Sequence, residues 1–342
     1  MSKPALQDVW NVSNPKLDED IGSFLKRTKQ DHLPQAKILA DSIAALESKG
    51  MVEAYLRGSF CKGEADIYSD IDLFTVVEPD KVEDVYNEIC AFLNKGSDIL
   101  VSCHDKLVKD YGGVGFMFLC TTQDNQVFQF DFYMALKGIE PKSYVLDTVR
   151  VYHADDDYCW LDCAKNRKSD IPQNTELFFK KVTEGTDPAE KTLFLVDDMM
   201  VTMNIMAKHL TRGQRGRALK DNNHLMGLCT EMLRPFAQTH FVDDSLYAAD
   251  KVLSDCAASN NPQLVACGDM LGKMLFQPPG FDKIDNMMTF LDVTLETLYP
   301  DIHKQVSPRL ESYKDGVLDK YTNTNTKQRL KTVTCAPTGK IS

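Results

Sequence analysis

The chain has 342 residues and is 43% hydrophobic and 26% charged, a composition typical of an ordinary globular protein with room for two domains. Its formal net charge is −11. That charge disfavours binding to nucleic-acid polymers, because such binding neutralises many phosphates with Lys and Arg side chains, although a local basic groove is compatible with it.

The first half of the sequence predicts strands that alternate with helices. A helical pattern runs from about residue 18 to Gly50, which is expected to end the helix. Pro79 opens a second helix, and the turn-forming residues 123–126 link two strands as a hairpin. The strand-like apolar runs are 51–56, 70–77, 98–102, 114–120 and 127–134.

Beyond about Trp160 the hydrophobic pattern becomes helical almost throughout. Residues 199–206 repeat methionine at helical spacing, which is more typical of core packing than of a binding surface. The tail, 322–342, is polar and without period, so we expect it to be disordered. Later helices are expected at about 243–257, 262–275, 281–297 and 300–316.

Together these elements predict an α/β (α+β) fold with two domains. Residues 1–165 are expected to form a mixed sheet flanked by helices. Residues 166–321 are expected to form an all-helical bundle, with the tail at 322–342.

Two carboxylates mark the start of the second predicted strand. Because successive strand side chains point to opposite faces, Asp70 and Asp72 project together while Ile71 and Leu73 enter a core. Carboxylates that converge at a strand end suit Mg²⁺, which prefers a few carboxylates together with substrate phosphates. The pair therefore predicts phosphate chemistry.

A third carboxylate, Asp131, lies in the alternating run 127–134. Phenylalanines and Met134 occupy one predicted face of this strand, and Gln129, Asp131 and Tyr133 occupy the other. One interpretation is a solvent-facing Asp on an edge strand. The other is a carboxylate that joins Asp70 and Asp72 on the same sheet.

The ordered motif resembles the DNA polymerase β-type nucleotidyltransferase superfamily. Its parts are Gly58-Ser59, a loop with Gly63, the run Ser69-Asp-Ile-Asp-Leu73, and a third acid at Asp131. With the helical second half and the acidic end of a strand at 150–158, the sequence is most similar to the antibiotic nucleotidyltransferase branch, which adenylylates aminoglycosides or lincosamides.

The resemblance implies an ATP-using enzyme with two Mg²⁺ ions. Asp70 and Asp72 would hold one ion on the triphosphate and help to hold a second beside the attacking hydroxyl. Asp131 would ligate the second ion, take the proton from the acceptor hydroxyl, or do both. Gly58 would allow close approach of the triphosphate to the backbone, and Ser59 would hydrogen-bond a phosphate oxygen.

Cationic side chains are expected at the pyrophosphate end. Arg57 and Ser69 are predicted to contact the nucleotide from the motif itself. Lys62 and the basic cluster 212–217 with Lys220 are further candidates, although a charge run is usually a solvated loop. The resemblance further implies that the helical domain clamps the nucleotide or substrate and that the acceptor lies between the domains.

The remaining expectations concern location and other metals. The sequence has no apolar stretch long enough to span a bilayer and no signal-peptide core at its start, and its ten cysteines have no framework spacing, so we expect a cytoplasmic protein with reduced thiols. His153 with nearby acids and cysteines lacks the ligand spacing of a zinc site. A monomer and a homodimer both remain open.

The predicted function is transfer of AMP from ATP to a hydroxyl of a small molecule, with an aminoglycoside antibiotic as the favoured acceptor. The acidic composition favours a cationic acceptor weakly, since most acidic proteins are acidic for solubility alone. Four alternatives remain open: a lincosamide acceptor, a nucleotide second-messenger synthase, a protein-AMPylating enzyme, and a non-catalytic nucleotide-binding module.

Overall fold

The structure is a computed structural model that divides into two compact units. Unit 1 is Met1–Asp124 with Phe128–Glu184, and unit 2 is Asn125–Val127 with Gly185–Ser342. The domain boundary expected after residue 165 lies outside the described residues, and the predicted domain ranges stay a prediction. The described residues are 19–105, 113–122, 127–139, 149–154, 159–160, 171–184, 187–237, 246–314, 316 and 321.

Unit 1 is built around a mixed six-stranded sheet with the order β3-β4-β5-β2-β1-β6. Strand β2 pairs antiparallel with β1 and parallel with β5, which makes the sheet mixed, as expected. The elements of unit 1 are α1 (Ile21–Arg27), α2 (Pro34–Leu46), β1 (Met51–Leu56), α3 (Gly58–Lys62), β2 (Ile71–Val77), α4 (Val82–Gly96), β3 (Ser97–His104), β4 (Gly113–Thr122), β5 (Val127–Leu136), β6 (Val149–His153) and α5 (Gln173–Glu184).

The helical stretch expected at 18–50 is two helices rather than one. Lys29 has a positive φ of 57° between α1 and α2, and such a residue interrupts a right-handed helix. Pro34 then begins α2, where its missing N–H costs no hydrogen bond. The expected end at Gly50 is confirmed, since Gly50 follows a short 3₁₀ turn with a φ of 100°.

The two faces of the sheet have different cores. One face packs against α1, α2 and α4 and includes the fully buried Ile71 and Leu73, as alternation in β2 predicts. The opposite face, here called the aromatic face, carries a smaller buried cluster of Tyr55, Phe74, Val76, Tyr133, Ala135 and Trp160. Because side chains two residues apart share a face, Asp72 and Asp131 belong to the aromatic face.

From Asp187 onward the described part of unit 2 is helical, which confirms the expected helical second half. Its methionine stripe is core packing, because Met199, Met200, Met203 and Met206 are all fully buried. No helix among the described residues is both long and apolar enough to cross a membrane. The helices of unit 2 are α6 (Pro188–Thr211), α7 (Arg215–Leu233), α8 (Leu246–Ala257), α9 (Pro262–Leu275), α10 (Phe281–Leu298) and α11 (Pro300–Tyr313).

Candidate active site

The turn after β1 lies directly against the first carboxylate of β2. The Arg57 N–H donates to the Asp72 carbonyl oxygen at 3.1 Å, which extends the β1–β2 pairing by one residue. Gly58 then has a φ of 60°, and a Cβ built on it would lie 2.1 Å from Asp72 Oδ2. Only a glycine therefore fits here, both for its backbone conformation and for its distance from the carboxylate.

Asp72 and Asp131 are directly opposite each other on neighbouring parallel strands. The β2–β5 register pairs Asp72 with Asp131, and it continues unbroken from Ile71–Phe130 to Val77–Leu136. Strands in a sheet are about 4.8 Å apart, so the two carboxylates leave the same face at adjacent positions. This pairing joins parts of the sequence that local pattern alone does not connect.

The edge-strand interpretation of Asp131 is wrong. Strand β5 lies between β4 and β2, and all ten of its residues are buried. Asp131 itself is only 6% exposed. Gln129 Nε2 donates to both of its carboxylate oxygens, at 2.8 Å to Oδ1 and 3.1 Å to Oδ2.

An aromatic ring and an arginine lie beside the carboxylates. The Arg57 guanidinium carbon lies 5.1 Å from the centroid of the Tyr133 ring, within the range of a cation–π contact. Burial raises the pKa of the Tyr133 phenol well above its usual value, and the charges of Asp131, Asp72 and Asp105 raise that pKa further, whereas Arg57 lowers it. Tyr133 is therefore a neutral phenol among three carboxylates and one cation.

Asp105 is a carboxylate that sequence reasoning missed. It follows β3, its N–H donates to the Gly115 carbonyl oxygen at 2.8 Å, and it is 6% exposed. Its charge raises the pKa of Tyr133, as the charges of Asp72 and Asp131 do. The sequence carried no signal for it, because it lies at the end of a run that only the strand pairing brings to this position.

Two buried glutamines hold the loop between α3 and β2. Gln30 donates to the Phe60 carbonyl oxygen at 2.9 Å and accepts from the Ala65 N–H at 3.1 Å. Gln35 Nε2 donates to the carbonyl oxygens of Ile67 at 3.0 Å and Ser69 at 3.3 Å. The turn between α1 and α2 and the start of α2 therefore fix the backbone that leads into the Asp70–Asp72 run.

Ser69 has a structural part in this loop. Its hydroxyl donates to Asp66 Oδ1 at 3.0 Å and accepts from the Asp66 N–H at 2.9 Å. Asp70 follows it, half-buried, one residue before β2, and Ser59 lies half-buried in the first turn of α3. The predicted roles of Ser59, Ser69 and Asp70 toward a nucleotide or metal stay predictions.

The basic cluster belongs to unit 2. Arg212 follows α6, Gly213 has a φ of 67°, and Arg215 and Arg217 lie in the first turn of α7. The residues of the cluster are exposed or half-buried, and Ala218, which follows residue 217, is buried. Its part in clamping a triphosphate stays a prediction.

A buried ion pair supports the far end of the aromatic face. Glu53 is fully buried in β1, and Arg150 of β6 donates to its Oε1 at 2.9 Å. The Tyr55 hydroxyl donates to Glu53 Oε2 at 3.0 Å, and the backbone N–H of Trp160 donates to the same oxygen at 2.8 Å. Every described contact of this carboxylate is with the scaffold, so it anchors residues 159–160 against the sheet.

The donor set fits a divalent cation. Asp72 and Asp131 supply hard carboxylate oxygens side by side, and Gly58 has no side chain that would displace the Asp72 carboxylate. Within the described ranges, no group of three or more His, Cys, Asp or Glu side chains forms a ready metal cluster. Mg²⁺ commonly binds through one or two carboxylates and substrate phosphates, so two carboxylates in register meet its needs.

A separate cavity of about 820 Å³ lies within unit 2. Its walls come from the start of α6, the end of α7 and the α10–α11 junction, and they are mostly apolar. No residue predicted for catalysis or nucleotide binding lines it. We therefore do not include it in the candidate active site.

Comparison with known families agrees with the geometry of the site. Residues 37–114 match the family model described as a nucleotidyltransferase domain, a segment that runs from α2 into β4. It includes Gly58, Asp70 and Asp72, and it ends before Asp131. No curated protein matches the chain. The segment 37–114 is thus similar to the nucleotidyltransferase domain of the DNA polymerase β-type superfamily, and this match supports a nucleotidyltransferase enzyme.

Proposed function

We propose that the protein is a Mg²⁺-dependent nucleotidyltransferase that moves AMP from ATP onto a hydroxyl of a small molecule. The observation that carries the proposal is the pairing of Asp72 with Asp131 on parallel strands, with Gly58 packed against the Asp72 carboxylate. Nucleotidyl transfer needs carboxylates at the reacting phosphate and a backbone that the triphosphate can approach closely. Both features occur together at this end of the sheet.

The reaction is an in-line displacement at the α-phosphorus. The acceptor oxygen forms a bond to the α-phosphorus, the bond to the β-phosphate oxygen breaks, and pyrophosphate leaves with that electron pair. Asp131 is the candidate to receive the hydroxyl proton. Asp70, Asp72 and Asp131 would hold Mg²⁺, which when bound neutralises charge on the attacking and leaving oxygens.

The residues of the turn would bind the triphosphate. Gly58 has no side chain, so the triphosphate could approach its backbone closely, and Ser59 offers a hydroxyl donor in the next position. Arg57 would contact phosphate oxygens from its place over the Tyr133 ring, where its planar donors suit bidentate binding. Ser69 would contribute by stabilising the conformation of the loop before Asp70.

We propose an aminoglycoside as the acceptor. The charges of Asp105, Asp72 and Asp131 all act on Tyr133, and the chain is acidic overall, with a formal charge of −11. An ammonium-rich ligand is attracted to a carboxylate-rich site by charge complementarity. A lincosamide, which carries less positive charge, is the second acceptor to test.

The decisive experiment combines a substrate screen with single carboxamide variants. The protein is incubated with ATP and Mg²⁺ and a panel of aminoglycosides and lincosamides, and products are scored by mass shift. Asp72→Asn and Asp131→Asn are expected to abolish product while keeping the far-UV circular dichroism of the wild type. Asp98→Asn, an exposed aspartate of β3, is the matched control and should retain full turnover. Near-normal turnover by the Asp72 variant would contradict the proposal.

The same assay separates the alternatives. With labelled nucleotides and no acceptor, a second-messenger synthase makes a nucleotide product and a protein-AMPylating enzyme labels protein. A module that only binds nucleotide gives a calorimetric signal with Mg²⁺-ATP and no product with any acceptor. Each of these results would replace the proposed acceptor class.

A further inference from the structure

The paired carboxylates of the candidate active site are held by two different kinds of contact. Asp72 is packed against Gly58 so closely that a Cβ on that residue would lie 2.1 Å from Asp72 Oδ2. Asp131 instead receives hydrogen bonds from Gln129 on both oxygens, at 2.8 Å and 3.1 Å. Gln129 is 5% exposed and Asp131 is 6% exposed, so this contact is shielded from bulk water.

The position of Gln129 follows from the strand. Gln129 and Asp131 are two residues apart in β5, so their side chains leave the same face one after the other. An ionised carboxylate only accepts hydrogen bonds, so the amide must present its nitrogen to Asp131. Rotation of the Gln129 amide is thereby restricted, and so is rotation of the Asp131 carboxylate.

A neutral amide and a cationic neighbour differ in their effect on the negative charge of the two carboxylates. Two carboxylates on adjacent strand positions repel each other, and each needs stabilisation in place. A lysine or arginine at position 129 would supply it by neutralising the negative charge that attracts a metal ion. Gln129 supplies hydrogen bonds and leaves that charge intact.

We propose that Gln129 is a positioning residue that fixes the Asp131 carboxylate for the divalent cation of the reaction. This inference rests on the proposed function. A hydrogen-bond partner behind a metal-binding carboxylate orients it, and loss of such a partner typically lowers metal affinity or activity about 10–100-fold. Asp131 would then bind the cation while Gln129 restricts the rotation of its carboxylate.

The test replaces the amide without changing its size. Gln129→Met removes both hydrogen bonds and keeps the side-chain length, and Mn²⁺ binding is measured on the purified protein by electron paramagnetic resonance. The variant is expected to bind Mn²⁺ about tenfold or more weakly and to need correspondingly more Mg²⁺ for half-maximal rate. The KM for ATP at saturating Mg²⁺ is expected to change less than threefold, on the order of a mutation outside the phosphate contacts.

The control removes a different buried hydrogen bond from the same sheet. Thr75 is fully buried in β2 and donates to the Tyr133 carbonyl oxygen at 2.9 Å, on the face opposite to Asp72. Thr75→Val should lower stability like any lost buried hydrogen bond and leave Mn²⁺ affinity unchanged. If Gln129→Met does not reach the wild-type circular dichroism spectrum, Gln129→Asn is used, whose amide is one methylene group too short to keep both contacts and is also expected to weaken Mn²⁺ binding.

The outcomes separate this inference from the proposed function. Wild-type protein that binds no Mn²⁺ and makes no product overturns the proposed function. If the wild type binds Mn²⁺ and a folded Gln129 variant binds it with equal affinity, the role of Gln129 is overturned and the proposed function is not. Equal weakening of Mn²⁺ binding in the Gln129 and Thr75 variants would mean a general effect of stability, and it also overturns that role.

Discussion

Gly58 and Asp72 are in such close contact that a Cβ on Gly58 would lie 2.1 Å from Asp72 Oδ2 and 3.0 Å from its Cγ. The contact exists because the Arg57 N–H pairs with the Asp72 carbonyl oxygen and the chain then turns at a positive φ. The turn that would receive phosphates and the carboxylate that would receive a metal ion are thus one structural unit. A change in either residue alters both.

Gly58→Ala is expected to abolish product formation. The alanine would be strained by about 1–2 kcal/mol at a φ of 60°, and its methyl group would displace the Asp72 carboxylate. Gly63→Ala is the matched control, because Gly63 also has a positive φ, of 71°, whereas its nearest neighbour atom would be 3.7 Å away in Thr28. We expect similar losses of thermal stability in both variants and loss of turnover only at position 58. Equal turnover in the two would contradict the contact's importance.

The ring of Tyr133 is expected to position Arg57 for nucleotide binding. Tyr133→Phe keeps the aromatic face beneath the guanidinium and should bind a non-hydrolysable ATP analogue like the wild type. Tyr133→Leu removes that face and should raise the dissociation constant about twofold to fivefold, since a cation–π contact of this kind contributes about 0.5–1 kcal/mol. Calorimetry measures both. A large effect of Tyr133→Phe would instead indicate that the hydroxyl contacts the nucleotide.

Much of this site was predictable where the pattern was local. Alternation placed Ile71 and Leu73 in the core and Asp72 on the other face, and Gly50 marked a helix end that the structure confirms. The local pattern predicts which face of a strand a side chain occupies, but it does not predict which strand pairs with it. The parallel pairing of β2 with β5 is non-local, so neither the Asp72–Asp131 register nor the central position of β5 followed from the sequence.

The supporting side chains were harder still to predict. Gln30 and Gln35 contact a loop more than thirty positions further along the chain. Because both are polar, the hydrophobic pattern of the sequence does not indicate that they are buried. Asp105 lies at the end of β3 and comes to Tyr133 only through two strand pairings. Such contacts depend on tertiary packing, which motif spacing does not encode.

Removal of Arg150 is expected to destabilise unit 1 strongly. Arg150→Met would leave the Glu53 carboxylate buried without its cation, and breaking a buried ion pair on one side costs about 3–5 kcal/mol. The double variant Glu53→Gln with Arg150→Met removes the charge as well and should recover part of that loss. Urea unfolding of the wild type, of each single variant and of the double variant gives the comparison. Additive losses would mean that the two residues do not interact.

The stability of the helical unit is expected to depend on pH through Asp197. Burial raises the pKa of Asp197 from 3.8 to about 7, and the Arg309 guanidinium, which donates to it at 3.0 Å, offsets part of that rise. The folded state therefore binds the Asp197 proton more tightly than the unfolded state. Between about pH 4 and pH 7 the folded protein holds more protons, so the free energy of unfolding falls as pH rises, by at most about 1.4 kcal/mol per pH unit from this group.

Asp197→Asn isolates this effect, because its side chain does not titrate. The wild type should lose stability relative to the variant as pH rises from about 4 to 7, and the difference should become constant above pH 7. Thermal unfolding followed by circular dichroism at several pH values measures it. His224 pairs with the neighbouring Asp198 at 3.3 Å, so His224→Gln in both backgrounds removes any contribution of that pair. Parallel pH profiles of wild type and Asp197→Asn would contradict a raised pKa at this position, and the partly exposed Arg309 would then be holding the carboxylate ionised.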